Sequence, residues 1–208
     1  NLLMLKNIFL SLLFVSCWIS CSTDLPAPKY KTKNVIIVIM DGPRWTETWG
    51  DSTHQFIPHM ANDMKPYGEI FTNFYNLGPT YTDAGHTEIC TGFKQEINNT
   101  GGELPNYPGI FQYYLAATKK DSTRAWVITS KDKLAILANC KQAEWHNKFM
   151  PATECGINGI GTGYRDDSTT FRKVMSVLKT YHPNLMIVNF KQPDAAGHQN
   201  NWQAFIDG

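Results

Sequence analysis

The chain has 208 residues, 42% of them hydrophobic and 12% aromatic, which is enough for a sizeable core and argues against a disordered or fibrous protein. Nineteen Lys and Arg stand against eighteen Asp and Glu, and no long block of one sign occurs, so nucleic acid is not an expected partner. The length suits one domain, or most of one.

Met4, Lys6 and the apolar run "IFLSLLFVSCWIS" read as an export signal. The run is shorter than the roughly 20 residues of a membrane-spanning helix. Ser20 before Cys21 resembles a bacterial lipoprotein cleavage box, with Trp18 and Ile19 in place of the usual leucine and small residue. Ordinary signal cleavage nearby is the alternative. The expected organisation is a signal segment at 1–21 with Cys21 as lipidation site, a polar linker at 22–33, and a folded part at 34–208. The protein is then exported, to the periplasm or the cell surface of a bacterium, and touches membrane only through a lipid anchor. Cys140 and Cys155 either bridge a loop or stay independent, and Cys90 reads as a small core residue.

"NVIIVIM" (34–40) is a continuous β-branched run, the pattern of a strand covered on both faces, and it ends in the turn "DGPRW". "GEIFTNFYN" is a second strand candidate. "HTEICTGF" reads as a short helix ending at Gly92, and "KQEINNTGGELPNYP" as a long loop. A helix at "PGIFQYYLAATKK", a strand at "RAWVITS" and a helix at "KDKLAILANC" follow. After the glycine-rich "CGINGIGTGYRDD" comes the helix "STTFRKVMSVLKTYH", with Phe171, Val174, Met175 and Leu178 at helical spacing, then the buried strand "NLMIVNF". "NWQAFIDG" begins an amphipathic helix and stops, so the chain is expected to be truncated there. The alternation predicts an α/β sandwich around a mostly parallel sheet, with ligands at the carboxyl ends of the strands.

Three polar clusters fall at such ends. Asp41 follows a buried strand directly, which costs free energy unless the carboxylate is paired, hydrogen-bonded or bound to a metal. Gly42 beside it permits close backbone approach. In "PDAAGH", Asp194 and His198 are four residues apart on a turn entering a helix, so both can face one cation; mixed Asp and His ligation suits zinc. The alternative is an Asp that caps the helix. In "TYTDAGH", Thr82 is either the N-cap of the following helix or a hydroxyl nucleophile that needs a metal or base to remove its proton. Thr80 is its weaker rival. Asn98 and Asn99, in the long loop, are candidates to offer an amide to a substrate oxygen, against a plain turn role. Arg165 is expected to pair with Asp166 or Asp167.

Together, "VIIVIMDG", "TYTDAGHTEICTG" and "PDAAGH" resemble the alkaline phosphatase superfamily, most closely its nucleotide pyrophosphatase/phosphodiesterase and threonine-dependent phosphatase branches. The resemblance spans residues 34–207. It implies two divalent metal ions, usually zinc, that bind a phosphoryl group of a small phosphorylated substrate. Asp41 and Thr82 would serve one ion, with Thr82 as nucleophile, and Asp194 and His198 the other. His86 would be structural. The implied reaction is hydrolysis of phosphate mono- or diesters through a phospho-threonine intermediate. Phosphomutase or phosphonate chemistry on the same metal core is the alternative among enzymes, and a non-catalytic binding lipoprotein the alternative outside them. No sulfatase-type Cys-x-Pro-x-Arg setting is present, and no Asp-His pair, which the family uses for further ligands, so the chain by itself is expected to bind metal weakly and hydrolyse little.

Overall fold

The computed structural model describes residues 31–208. Asn34–Gly208 forms one compact unit, and the fold is that of this unit. The expected signal segment, Cys21 and most of the linker lie outside the described residues. Among the described residues no helix is long and apolar enough to cross a membrane.

The unit is α/β. Four strands, β1 (Val35–Asp41), β2 (Ala125–Thr129), β3 (Ala152–Cys155) and β4 (Leu185–Pro193), form an all-parallel sheet in the order β1-β4-β2-β3. β2 and β4 are central, and their apolar residues are buried on both faces, as a parallel sheet requires. On one face Val127 and Ile187 pack with α1 (Thr82–Thr91), α2 (Ile110–Thr118) and a 3-10 segment, Asp132–Ala138, through Cys90, Phe111, Leu115 and Leu134. On the other, Trp126, Ile128, Met186 and Val188 pack with Val174 and Val177 of α3 (Asp167–Tyr181). Two short helices, α4 (Asp194–His198) and α5 (Trp202–Asp207), follow β4.

Several expectations change. β1 is a strand, but it lies at the sheet edge and is not covered on both faces: Ile37 and Ile39 pack on the first core, while Ile36, Val38 and Met40 are exposed, Val38 by 57%. Residues 68–76 form an irregular segment with a turn at 72–73 rather than a strand, and Phe71, Phe74 and Tyr75 are exposed, with no sheet neighbour among the described residues. "KDKLAILANC" winds as a 3-10 segment, not an α-helix. The buried stripe of α3 runs through Thr170, Val174 and Val177, with Phe171 and Met175 on the outer side. β3 was not foreseen, because "ATEC" has neither length nor apolar character. Arg165 is held by the Glu154 carboxylate and carbonyl and by Thr170, not by Asp166 or Asp167. Cys90, Cys140 and Cys155 are all buried and free, so no bridge joins the latter two.

Candidate active site

The carboxyl ends of β1, β4 and β2 bring three of the sequence-predicted residues to one point. β1 and β4 run in register from Val35 against Leu185 to Met40 against Phe190, and then the register breaks so that Asp41 stands against Pro193. That irregularity carries Asp194 beside the end of β1. Gly42 (φ 79°) makes the approach possible: a Cβ there would lie 2.7 Å from the Asp194 Cβ and 2.8 Å from its Cα.

The centre of the cluster is Lys131, which leaves the end of β2. Its side chain is only 2% exposed, and its Nζ lies 2.7 Å from Asp41 Oδ2 and 2.6 Å from Asp194 Oδ2. It also donates to Thr82 Oγ1 at 3.1 Å. Burial works against the lysine's charge, but the hydrogen bonds and attraction of Asp194 and Asp41 prevail and hold its pKa above the ordinary lysine value. A buried ammonium among two carboxylates is stable only when so paired.

Thr82 is the first residue of α1, and its hydroxyl does not cap the helix. Tyr81 occupies the N-cap position without a side-chain cap bond. The capping alternative is therefore set aside in favour of a hydroxyl turned toward Lys131. Thr80 is exposed. The α1 N-terminus adds the positive end of the helix dipole to the same place.

His86 is buried one turn into α1. Its Nδ1–H donates to the Thr82 carbonyl at 2.8 Å, and the Asn189 amide lies 3.1 Å from its Nε2. In that pattern Nε2 accepts, and the ring is neutral. Burial pushes the imidazole pKa below its usual value, with the Asp41 charge opposing it. Asn189 Nδ2 also stands 3.4 Å from Asp41 Oδ2, so one amide in the middle of β4 links the start of α1 to the end of β1.

The two asparagines of the loop separate. Asn99 Oδ1 accepts from the Asp83 N–H at 3.0 Å and from Lys133 Nζ at 2.8 Å, which places its amide at the start of α1. Asn98 Oδ1 accepts from the Thr100 N–H and serves a turn. His198 sits on α4 with its side chain 80% exposed and Nε2 3.4 Å from Asp194 Oδ1. Beside Asp194 and His198 a cleft of about 440 Å³ opens, bordered by Gly42, Arg44, Trp202 and Phe205. Arg44 covers the stacked Trp202 and Phe205 rings at 5.5 and 4.9 Å.

The two carboxylates that the sequence reading assigns to different metal ions thus share one ammonium. Among the described residues no group of three or more His, Cys, Asp or Glu side chains is placed to hold a metal ion. The donor set nevertheless suits a cation: the ammonium stands in for one, with two carboxylate oxygens and a hydroxyl converging on it and an imidazole at the rim. Lys131, Lys133 and Asn189 were not singled out from sequence. The available signal was two lysines directly after a buried strand, and an asparagine inside an apolar one.

No protein-family model matches the chain, and neither a curated protein nor a solved structure matches it.

Proposed function

We propose that the chain carries the nucleophile end of a metal-dependent phosphate-ester hydrolase of alkaline phosphatase type, acting on mono- or diesters through a phospho-threonine. The observation that supports it is the convergence of Thr82 Oγ1, Asp41 and Asp194 on a single positive centre at the carboxyl end of a parallel sheet. The resemblance of "VIIVIMDG", "TYTDAGHTEICTG" and "PDAAGH" to that superfamily points the same way.

In this reading Asp41, Thr82, Asp194 and His198 hold two divalent ions, most simply zinc. Such ions, when bound, acidify a hydroxyl and neutralise the charge on a phosphoryl group in flight. The chain's own groups do the rest. The His86 bond to the Thr82 carbonyl and the Asn189 bridge fix the nucleophile against Asp41. The α1 N-terminus places positive charge beside the Thr82 hydroxyl, on the phosphoryl side. Asn99, held at its oxygen by Lys133 and Asp83, keeps its amide donor for the substrate. The cleft past Asp194 gives the ester substituent room.

The reading is tested by assaying the full-length gene product, loaded with zinc, on p-nitrophenyl phosphate and on bis(p-nitrophenyl) phosphate. Turnover of either that disappears with chelation supports it. A zinc-replete protein that hydrolyses neither ester overturns it.

A further inference from the structure

We infer that Lys131 is a resident cation that competes with metal for the same two carboxylates, so that a divalent ion enters only as the ammonium leaves. The inference rests on the reading above, in which Asp41 and Asp194 bind metal.

Three observations carry it. First, the ammonium takes the oxygen atoms that a metal would need: Asp41 Oδ2 at 2.7 Å and Asp194 Oδ2 at 2.6 Å, with Thr82 Oγ1 at 3.1 Å. These oxygens come from three separate elements, the end of β1, the start of α4 and the start of α1, so the point where they meet is defined by the fold rather than by the lysine. Second, the charge balance favours exchange of the ammonium over addition of an ion beside it. Two carboxylates and one ammonium leave a single negative charge; a divalent ion added beside a retained ammonium would create a net positive charge with two like charges within a few ångströms. Exchange of the ammonium for the ion neutralises the pair. Third, the lysine has somewhere to go. Its stem is flexible, the cleft of about 440 Å³ lies beside Asp194, and the Tyr164 ring, 5.7 Å from Nζ, offers a face that attracts a cation.

Two consequences follow. The metal-free protein is held together at this site by its own lysine, so the carboxylates do not repel one another in the absence of metal. Metal affinity is correspondingly lowered, because every binding event must break the Lys131 contacts.

The test is a calorimetric zinc titration of the full-length gene product as wild type, Lys131→Met, Lys131→Arg and Asp41→Asn. Methionine fills a similar volume without charge, and arginine keeps the charge. Lys131→Met should bind zinc at least about tenfold more tightly than wild type, whereas Lys131→Arg should not gain and Asp41→Asn should lose affinity. In chelator Lys131→Met should melt below wild type and recover more on adding zinc. Should that variant fail to fold, wild-type protein still decides the matter: acylation of Lys131 by an amine reagent, followed by peptide mass spectrometry, should rise severalfold at saturating zinc. Zinc affinity of folded Lys131→Met equal to wild type, or Lys131 labelling unchanged by bound zinc, overturns the exchange and leaves the metal reading standing. Zinc binding that is absent from both wild type and Lys131→Met, or untouched by Asp41→Asn, overturns the metal reading and the exchange with it.

Discussion

Lys131 and Lys133 leave the same turn after β2 two residues apart, and the clusters they build differ in kind. Around Lys131 the partners are Asp41, Asp194 and Thr82, gathered from three elements and bordered by an open cleft. Around Lys133 they are Asn99 and, at 3.7 Å, the fully buried Asp83, whose other oxygen accepts from the Gly101 N–H at 2.8 Å. Gly101 (φ 75°) allows the loop to press on Lys133, since a Cβ there would lie 2.7 Å from the Lys133 Cα. The second cluster pins the 94–108 loop to the start of α1. The first leaves a hydroxyl poised next to a positive charge. Buried ionic contacts occur in both clusters; what distinguishes the Lys131 cluster is the convergence of three separate elements on one ammonium beside an open cleft.

That contrast can be broken by exchanging one residue in each cluster. Thr82→Ala should cut turnover of the full-length, metal-loaded protein on the order of 10³-fold or more, while its melting point stays near wild type. Asp83→Ala should do the reverse. It strips Lys133 and the Gly101 N–H of a buried partner and should cost about 3 kcal/mol of stability by denaturant titration, with activity lost only in proportion to unfolded protein. If Asp83→Ala left stability intact and abolished turnover, the division between the clusters would be wrong.

A smaller effect sharpens the same comparison through His86. Its folded-state pKa lies below the ordinary imidazole value because the ring is buried and neutral. The unfolded chain takes up a proton near pH 6.5, while the folded one resists it. The stability due to this ring is therefore complete above that value and declines as pH falls from there toward the depressed folded-state value. His86→Gln should flatten this slope in denaturant titrations at a series of pH values, and an unchanged slope would assign the acid sensitivity to another group.

The strands and helices that carry the site were legible because their patterns are local. Continuous β-branched runs marked β1, β2 and β4, and an apolar repeat marked α3. What was not legible depended on neighbours. The exposure of Val38 and Met40 follows from the edge position of β1, which composition does not encode. Residues 68–76 have strand character but no described sheet partner, and a strand is made by pairing. At the site, Asp41 and Asp194 could be named because each follows a recognisable strand and Thr82 because it lies where the chain enters a helix, and Gly42 beside Asp41 has the close approach its lack of a side chain suggested. Lys131 could not, because a lysine at the start of a presumed helix reads as solvated until the register break between β1 and β4 places two carboxylates against it. Asn98 and Asn99 are adjacent and identical in type, and only the course of the loop sends one to α1 and the other into a turn.

The central claim is that the Thr82 hydroxyl attacks phosphorus. Its most direct test is an acid-quenched reaction of the zinc-loaded full-length protein with a phosphate monoester, digested and mapped by mass spectrometry. A phosphoryl group is expected on the peptide containing Thr82, fragmenting at Thr82 and absent from Thr82→Ala. Hydrolysis that proceeds while Thr82 stays unmodified, or a phosphoryl group on Thr80 instead, would contradict it.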